Sequence, residues 1–245
     1  MTIKILGSGN IRSPEISASA LINDLILIDC GHSVYKRLLQ PDIDINKIQY
    51  VFITHLHSDH FIDLTALISY FNSLKPTNPN LPKPHIFLPK GGIEALDVIT
   101  LHTLNQDIDP RTWLTYAATL EEYADDTPID IDDYQITPIL VDHGTMKPAY
   151  GFIIKTPSDT IGYSGDSKTC PGIDRIIEAS DTLILDISNP TENIAHMGLD
   201  NLLDFSKKYS DKQFYATHLS TEVRQSAASL PPNAHLLQDS EIINY

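Results

Sequence analysis

Residues 51–60 read VFITHLHSDH, an apolar, strand-forming run that opens into His55, His57, Asp59 and His60. In an extended loop, side chains two residues apart turn to the same side, so His55 and His57 can address one point. Asp59 and His60, at the start of the next apolar-periodic segment, can address a second point beside it. Imidazole and carboxylate suit Zn²⁺, with Mn²⁺ or Fe²⁺ admissible where a carboxylate bridges. A metal ion takes three or four protein ligands, so two ions need more than this loop supplies. Three further candidates stand just past apolar runs: His143 after ITPILVD, Asp166 at the end of IGYSGD and His218 at the end of FYATH. The seven residues divide into His55, His57 and His143 for one ion and Asp59, His60 and His218 for a second, with Asp166 between them. Such a pair of ions, about 3.5–4 Å apart, shares a water and turns it into a hydroxide nucleophile.

The elements that must position these groups follow from apolar periodicity. IKIL, SALI and DLILIDCG read as short strands, HSVYKRLLQ as a helix stopped by Pro41, and IQYVFIT as the strand behind the histidines. From about Asp59 to Leu74, apolar groups recur at helical spacing. The His-rich stretch therefore sits where a buried strand hands over to a helix, a usual location for chemistry because a rigid scaffold aims what the loop exposes. The proline-punctuated KPTNPNLPKP reads as a surface loop, followed by a strand HIFLP and a helix from about Gly92 to Leu104. A strand-rich middle comes next (TWLTYAATL, IDIDDYQITPILVDHG, YGFIIKT, DTIGYSGD), and then helices and strands alternate through IDRIIEAS, TLILDIS, LDNLLDFSKKYS and QFYATHLS. VFITHLHS and QFYATHLS both run an apolar strand into Thr-His-Leu, the echo expected of a β-layer repeated with helices outside. Four layers result, helix, sheet, sheet, helix, with the loops gathered at one edge.

Composition narrows the partners. The 245 residues carry a formal charge of −15 and no clustered basic patch, which disfavours extended contact with nucleic acid or an anionic membrane surface. Seven acids and no base lie between Glu121 and Asp133, a pattern that reads as a solvated turn and edge. Two cysteines, Cys30 and Cys170, form no disulfide framework or metal spacing and read as structural. The N-terminal MTIKILGSG lacks the features of a signal peptide, and no stretch is long and apolar enough for a membrane helix. The expectation is a cytoplasmic protein.

HLHSDH, VDHGTMKPAYGF, GYSGDSKTCP and ATHLS, in that order, resemble the motifs of the metallo-β-lactamase fold, most closely those of its ribonuclease Z and phosphodiesterase branch. The resemblance extends from DCG near Cys30 to His218. It implies an α/β fold, a four-layer αββα sandwich forming one hydrolase domain over residues 1–245, and the same seven-residue ligand set for two Zn²⁺ ions. His57 stands where electron-transferring diiron relatives carry an acid, which favours hydrolysis. The branch also has an acid at a strand end, usually Glu, and a histidine ahead of a helix. Asp186 and His196 hold these places here, and the resemblance assigns His196 to the phosphoryl or leaving oxygen, with Asp186 as its shortened partner. Asp59 is expected to orient the nucleophile and accept its proton, and Asp29 to brace the metal loop from behind.

The implied activity is hydrolysis of a phosphodiester. Ribonuclease Z enzymes that process transfer RNA precursors carry a basic, glycine-rich arm that is absent from this sequence, so a small phosphodiester such as a cyclic nucleotide is the expected substrate. Hydrolysis of a lactone, ester or thioester by the same metal pair, transfer RNA 3′-processing, and a non-catalytic metal- or ligand-binding role are the alternatives. Relatives of this kind are often dimers, which makes a homodimer the expectation by analogy.

Overall fold

The computed structural model describes residues 1–104, 107–227 and 229–244. Its chain falls into two compact units, one of residues 1–7, 16–123 and 240–244, the other of residues 8–15 and 124–239.

The first unit holds β1 (Thr2–Gly7), β2 (Ser19–Ile22), β3 (Ile26–Ile28), α1 (Val34–Leu38), β4 (Tyr50–Phe52), α2 (Ser58–Phe61), α3 (Leu64–Leu74), β5 (His85–Leu88), α4 (Gly92–Thr103), α5 (Pro110–Ala117) and β6 (Thr119–Glu122). The last strand, β14 (Ile242–Asn244), returns to pair with β1. The sheet order is β14-β1-β2-β3-β4-β5-β6, antiparallel up to β3 and parallel from β3 to β6. Parallel neighbours need crossover helices, and α1 to α5 supply them. Their apolar stripes, including Leu64, Leu67, Ile68 and Phe71 of α3 and Leu114 of α5, bury against Leu27, Val51, Ile86 and Leu88. Alternate strand residues are buried on the opposite face, where the Phe52 and Phe87 rings stack at 4.5 Å.

The second unit holds β7 (Ile129–Ile131), β8 (Tyr134–Leu140), β9 (Tyr150–Lys155), β10 (Thr160–Tyr163), α6 (Pro171–Ala179), β11 (Thr182–Asp186), α7 (Leu199–Lys208), β12 (Gln213–Thr217), α8 (Thr221–Ser226) and β13 (Ala234–Leu236). Its sheet runs β13-β12-β11-β10-β9-β8-β7, parallel from β13 to β10 and antiparallel from β10 to β7. In β11 and β12 the register sets Asp186 opposite Thr217. Ile173, Ile176 and Ile177 of α6 and Leu202 of α7 pack with Leu183, Leu185 and Phe214. The two Thr-His-Leu stretches thus follow β4 and β12, one parallel strand in each sheet.

Two sequence expectations are corrected. TWLTYAATL is a helix for most of its length, α5, and only then the strand β6. Asp109 accepts from Thr112 N at 2.8 Å as N-cap and Pro110 fills the first turn, which outweighs the β-branched and aromatic content. The helix expected from Asp59 to Leu74 is broken between α2 and α3, because Asp63 N donates to Cys30 O at 3.0 Å and its carboxylate accepts from Tyr35 N at 3.2 Å. The acidic stretch is a strand end and turns whose side chains satisfy backbone donors: Glu122 accepts from Gly91 and Ile93 N, and Asp125 from Leu140 N.

Candidate metal centre

In the first unit the chain leaves β4 through Ile53 and Thr54, carries His55 and His57 in a loop, and enters α2 with Asp59 and His60. Behind this loop lies Asp29, fully buried, just past β3 and in the left-handed backbone region at φ 60°. A non-glycine residue there costs about 1–3 kcal/mol and persists because its surroundings fix it. Asp29 Oδ1 accepts from Thr54 N at 2.8 Å, and Oδ2 accepts from Thr54 Oγ1 at 2.9 Å and His60 Nδ1 at 2.8 Å. Cys30 N donates to His60 O at 2.8 Å. Any Cβ on Gly31 would overlap the Asp59 carbonyl, so only glycine lets the two backbones approach. Burial pushes the Asp29 carboxyl up, with the His60 charge and the bonds from His60 and Thr54 opposing it.

These bonds aim the ligand-type atoms. With Nδ1 of His60 on Asp29, its Nε2 lies 3.9 Å from Asp59 Oδ2. The Thr54 hydroxyl, donating to Asp29, sits 3.0 Å from His55 Nδ1 and accepts from it. His55 Nε2 then meets His57 Nδ1 at 3.1 Å, and the His55 and His60 ring centroids are 4.2 Å apart. His55 thus lies beside both His57 and His60, and His60 beside Asp59.

The second unit gathers the later candidates at the ends of β8, β10, β11 and β12. Asp166 Oδ2 lies 3.3 Å from His218 Nε2, 3.8 Å from His143 Nε2 and 3.9 Å from His196 Nδ1. Ligand atoms from Asp166, Asp186, His196 and His218 all fall within 4.8 Å of one another. Each imidazole is held through Nδ1: His143 on Ala195 O at 3.0 Å, His196 on Asp186 Oδ2 at 2.8 Å, His218 on Ser188 Oγ at 2.6 Å. Asp186 also accepts from Ser167 N at 3.1 Å and from Ser188 Oγ at 2.7 Å. The loop ahead of α7 is shaped by Asn193, whose side-chain oxygen accepts from Ala195 N and His196 N, both at 2.8 Å.

Burial separates the roles. The side chains of Asp166, Asp186 and His218 are 1–4% exposed, whereas that of His196 is 21% exposed. Burial pulls His196 down, but the charge and hydrogen bond of Asp186, with Asp166 behind, outweigh it and hold the imidazole above its ordinary value. Burial and Asp166 push Asp186 up, and His196, aided by the bond to His218, wins and keeps it below the usual carboxylate value.

The donor set fits divalent metal. Each unit presents imidazoles and carboxylates whose outer nitrogens or oxygens are braced by buried partners, the arrangement that orients metal ligands. Three groups in this bracing were not foreseen from sequence: Thr54, Ser188 and the Ser167 amide. Their signal was weak: Thr54 and Ser188 are hydroxyls two residues past a strand end, and the Ser167 group is a backbone amide. Both cysteines are free, with Cys30 in the apolar core of the first unit. No helix among the described residues is long and apolar enough to cross a membrane.

A family model described as anti-Pycsar protein Apyc1 matches residues 1–241. The chain belongs to the Apyc1 family. A ribonuclease Z from Mycolicibacterium paratuberculosis is 27% identical over 194 residues, covering 74% of this chain and 68% of its own. The metallo-β-lactamase fold protein YhfI from Bacillus subtilis superimposes with a TM-score of 0.78 at 18% identity, over 99% of each chain. A diphosphatase of the PhnP family gives 0.74 at 20% identity, over 100% of this chain and 97% of its own. The Apyc1-family chain thus has the metallo-β-lactamase fold and is ribonuclease Z-like, as the motifs implied, and its reading as a metal-dependent hydrolase stands with it.

Proposed function

We propose that this protein is a phosphodiesterase acting on a small phosphodiester such as a cyclic nucleotide, with residues 1–245 working as one hydrolase domain. The observation that carries the reading is His196: a half-open imidazole held by a buried carboxylate, beside a buried cluster of metal-ligand types. A site that only stored metal would have no use for such a group.

In this reading His55, His57 and His143 would hold one divalent ion and Asp59, His60 and His218 a second, with Asp166 shared between them, zinc being the preferred metal and manganese or iron(II) admissible. Bound there, the ions supply Lewis acidity and a water of lowered pKa. The chain's own residues do the rest. Asp59 orients the attacking water and accepts its proton. His196, whose charged form Asp186 favours, donates to the phosphoryl or leaving oxygen as negative charge grows on it. Asp29 and Ser188 keep the ligand histidines turned toward the ions.

The small substrate is supported by the charge of −15 and the lack of a basic arm in the sequence. The similarity to a ribonuclease Z favours a second reading, cleavage of transfer RNA precursors. A turnover panel separates them: zinc-loaded protein is expected to cleave bis(p-nitrophenyl) phosphate and a cyclic nucleotide faster than a precursor transfer RNA, a lactone or a thioester. Preference for the precursor establishes the second reading, and preference for the lactone or thioester removes phosphodiester chemistry altogether.

A further inference from the structure

The second unit contains a buried hydroxyl with three polar atoms around it. Ser188 is 3% exposed, and its Oγ lies 2.7 Å from Asp186 Oδ1, 2.6 Å from His218 Nδ1 and 2.9 Å from His218 O. A hydroxyl has one proton to give. The ionised Asp186 can only accept, so the proton goes to its Oδ1, the stronger acceptor, and Oγ is left to accept from His218 Nδ1–H. This arrangement fixes the tautomer: with hydrogen on Nδ1, His218 Nε2 carries the lone pair, and it is Nε2 that faces Asp166 Oδ2 at 3.3 Å.

The first unit repeats the device. Thr54 Oγ1 stands between the buried Asp29 carboxylate, at 2.9 Å, and His55 Nδ1, at 3.0 Å. A buried acid, a hydroxyl and an imidazole recur in the same order, the hydroxyl in each case two residues past a strand end, that of β4 and that of β11. The bond also lies next to His196, the group proposed to face substrate, since Asp186 Oδ2 holds His196 Nδ1 at 2.8 Å while Oδ1 holds Ser188.

We infer that Ser188 is a positioning residue that sets the tautomer of His218 for metal binding and, through the shared Asp186 carboxylate, links that ligand to the orientation of His196. The inference rests on the proposed role of His218 as a metal ligand. Without the hydroxyl, His218 Nδ1 still has Asp186 Oδ1 at 3.3 Å, a longer and therefore weaker contact than the 2.6 Å bond it loses.

The test uses the full-length chain and Zn²⁺ alone as probe, with no substrate. Competition against a chelating dye is expected to show zinc affinity falling about 10–100-fold in Ser188→Ala and staying close to wild type in Ser188→Thr, which keeps the hydroxyl. Imidazole ¹⁵N spectra of the wild-type chain are expected to show His218 protonated on Nδ1, a readout that needs no variant to fold. Equal zinc affinity in Ser188→Ala and wild type, equal loss in both variants, or His218 protonated on Nε2 each overturns the inference. A wild-type chain that takes up no zinc removes the proposed metal site and this inference with it, whereas zinc uptake unaffected by Ser188→Ala removes the inference alone.

Discussion

Asp186 Oδ2 lies 2.8 Å from His196 Nδ1, a buried carboxylate holding a partly exposed imidazole. Ribonuclease Z-like proteins usually have Glu at this strand end, and the shorter acid still reaches its partner because the loop shaped by Asn193 brings His196 to it. His196→Ala is expected to lower turnover of bis(p-nitrophenyl) phosphate by about 10²–10⁴-fold, the range for loss of a general acid, with zinc content unchanged. Asp186→Asn is expected to lower both, since the same carboxylate also binds Ser188. Turnover and zinc content measured on the same samples separate the two effects.

Removing metal gives a second expectation. Chelated protein is inactive and regains turnover with zinc or manganese, and not with calcium, which prefers all-oxygen sites. The loaded form also melts higher, because a ligand at 100 times its dissociation constant stabilises by about 2.7 kcal/mol. Calorimetry with and without chelator measures it, and identical melting curves would show that the donor cluster holds no ion.

Asp29 is the brace whose loss costs most. Asp29→Ala leaves Thr54 N, Thr54 Oγ1 and His60 Nδ1 without their buried acceptor. Each buried unsatisfied group costs about 1–3 kcal/mol, so a loss of at least 2 kcal/mol in urea unfolding is expected. Zinc affinity falls with it, because His60 is no longer aimed.

A pH-dependent contribution is expected away from the metal centre. The Arg37 guanidinium, nearly buried, donates to both Asp42 oxygens at 2.8 and 2.6 Å and to Ser240 Oγ at 3.0 Å. The hydrogen bond from Arg37 leads in holding the Asp42 carboxyl below its ordinary 3.8, with a smaller opposing push from burial. The folded value is depressed, so the pair stabilises fully above the unfolded value and its contribution fades as pH falls below about 4. Asp42→Asn should therefore be less stable than wild type at pH 7, by no more than about 1 kcal/mol for so exposed a carboxylate, and the gap should narrow as pH falls through the depressed folded value. A gap that does not narrow on acidification would assign the effect to packing.

The candidate ligands could be picked out in the sequence because such residues betray themselves by position. A histidine or aspartate just past a largely apolar strand, as at His55, Asp166 and His218, has few structural reasons to be there. The hydroxyls of Thr54 and Ser188 carried no such mark, since Ser or Thr beside a strand end serves equally as a cap or turn residue. Their role depends on which neighbouring strand brings an acid alongside, and that is decided by pairing. The helix α5 was hidden for a related reason: WLTY reads as strand by composition, and its fate was set by Asp109 and Pro110 just upstream. The interruption between α2 and α3 comes from Asp63 N meeting Cys30 O, a partner 33 positions back that no local pattern discloses.

Asp186 and Thr217 are cross-strand partners, and His218 follows immediately. Side chains alternate faces along a strand, so sliding β12 by a single step would swing the histidine's neighbourhood to the opposite side of the sheet. Deleting one residue inside β12 would thus silence the enzyme while sparing every chemically active side chain, whereas lengthening a surface loop would leave it working. Evolution within such proteins is free to edit their connections but not the frame in which those strands are counted.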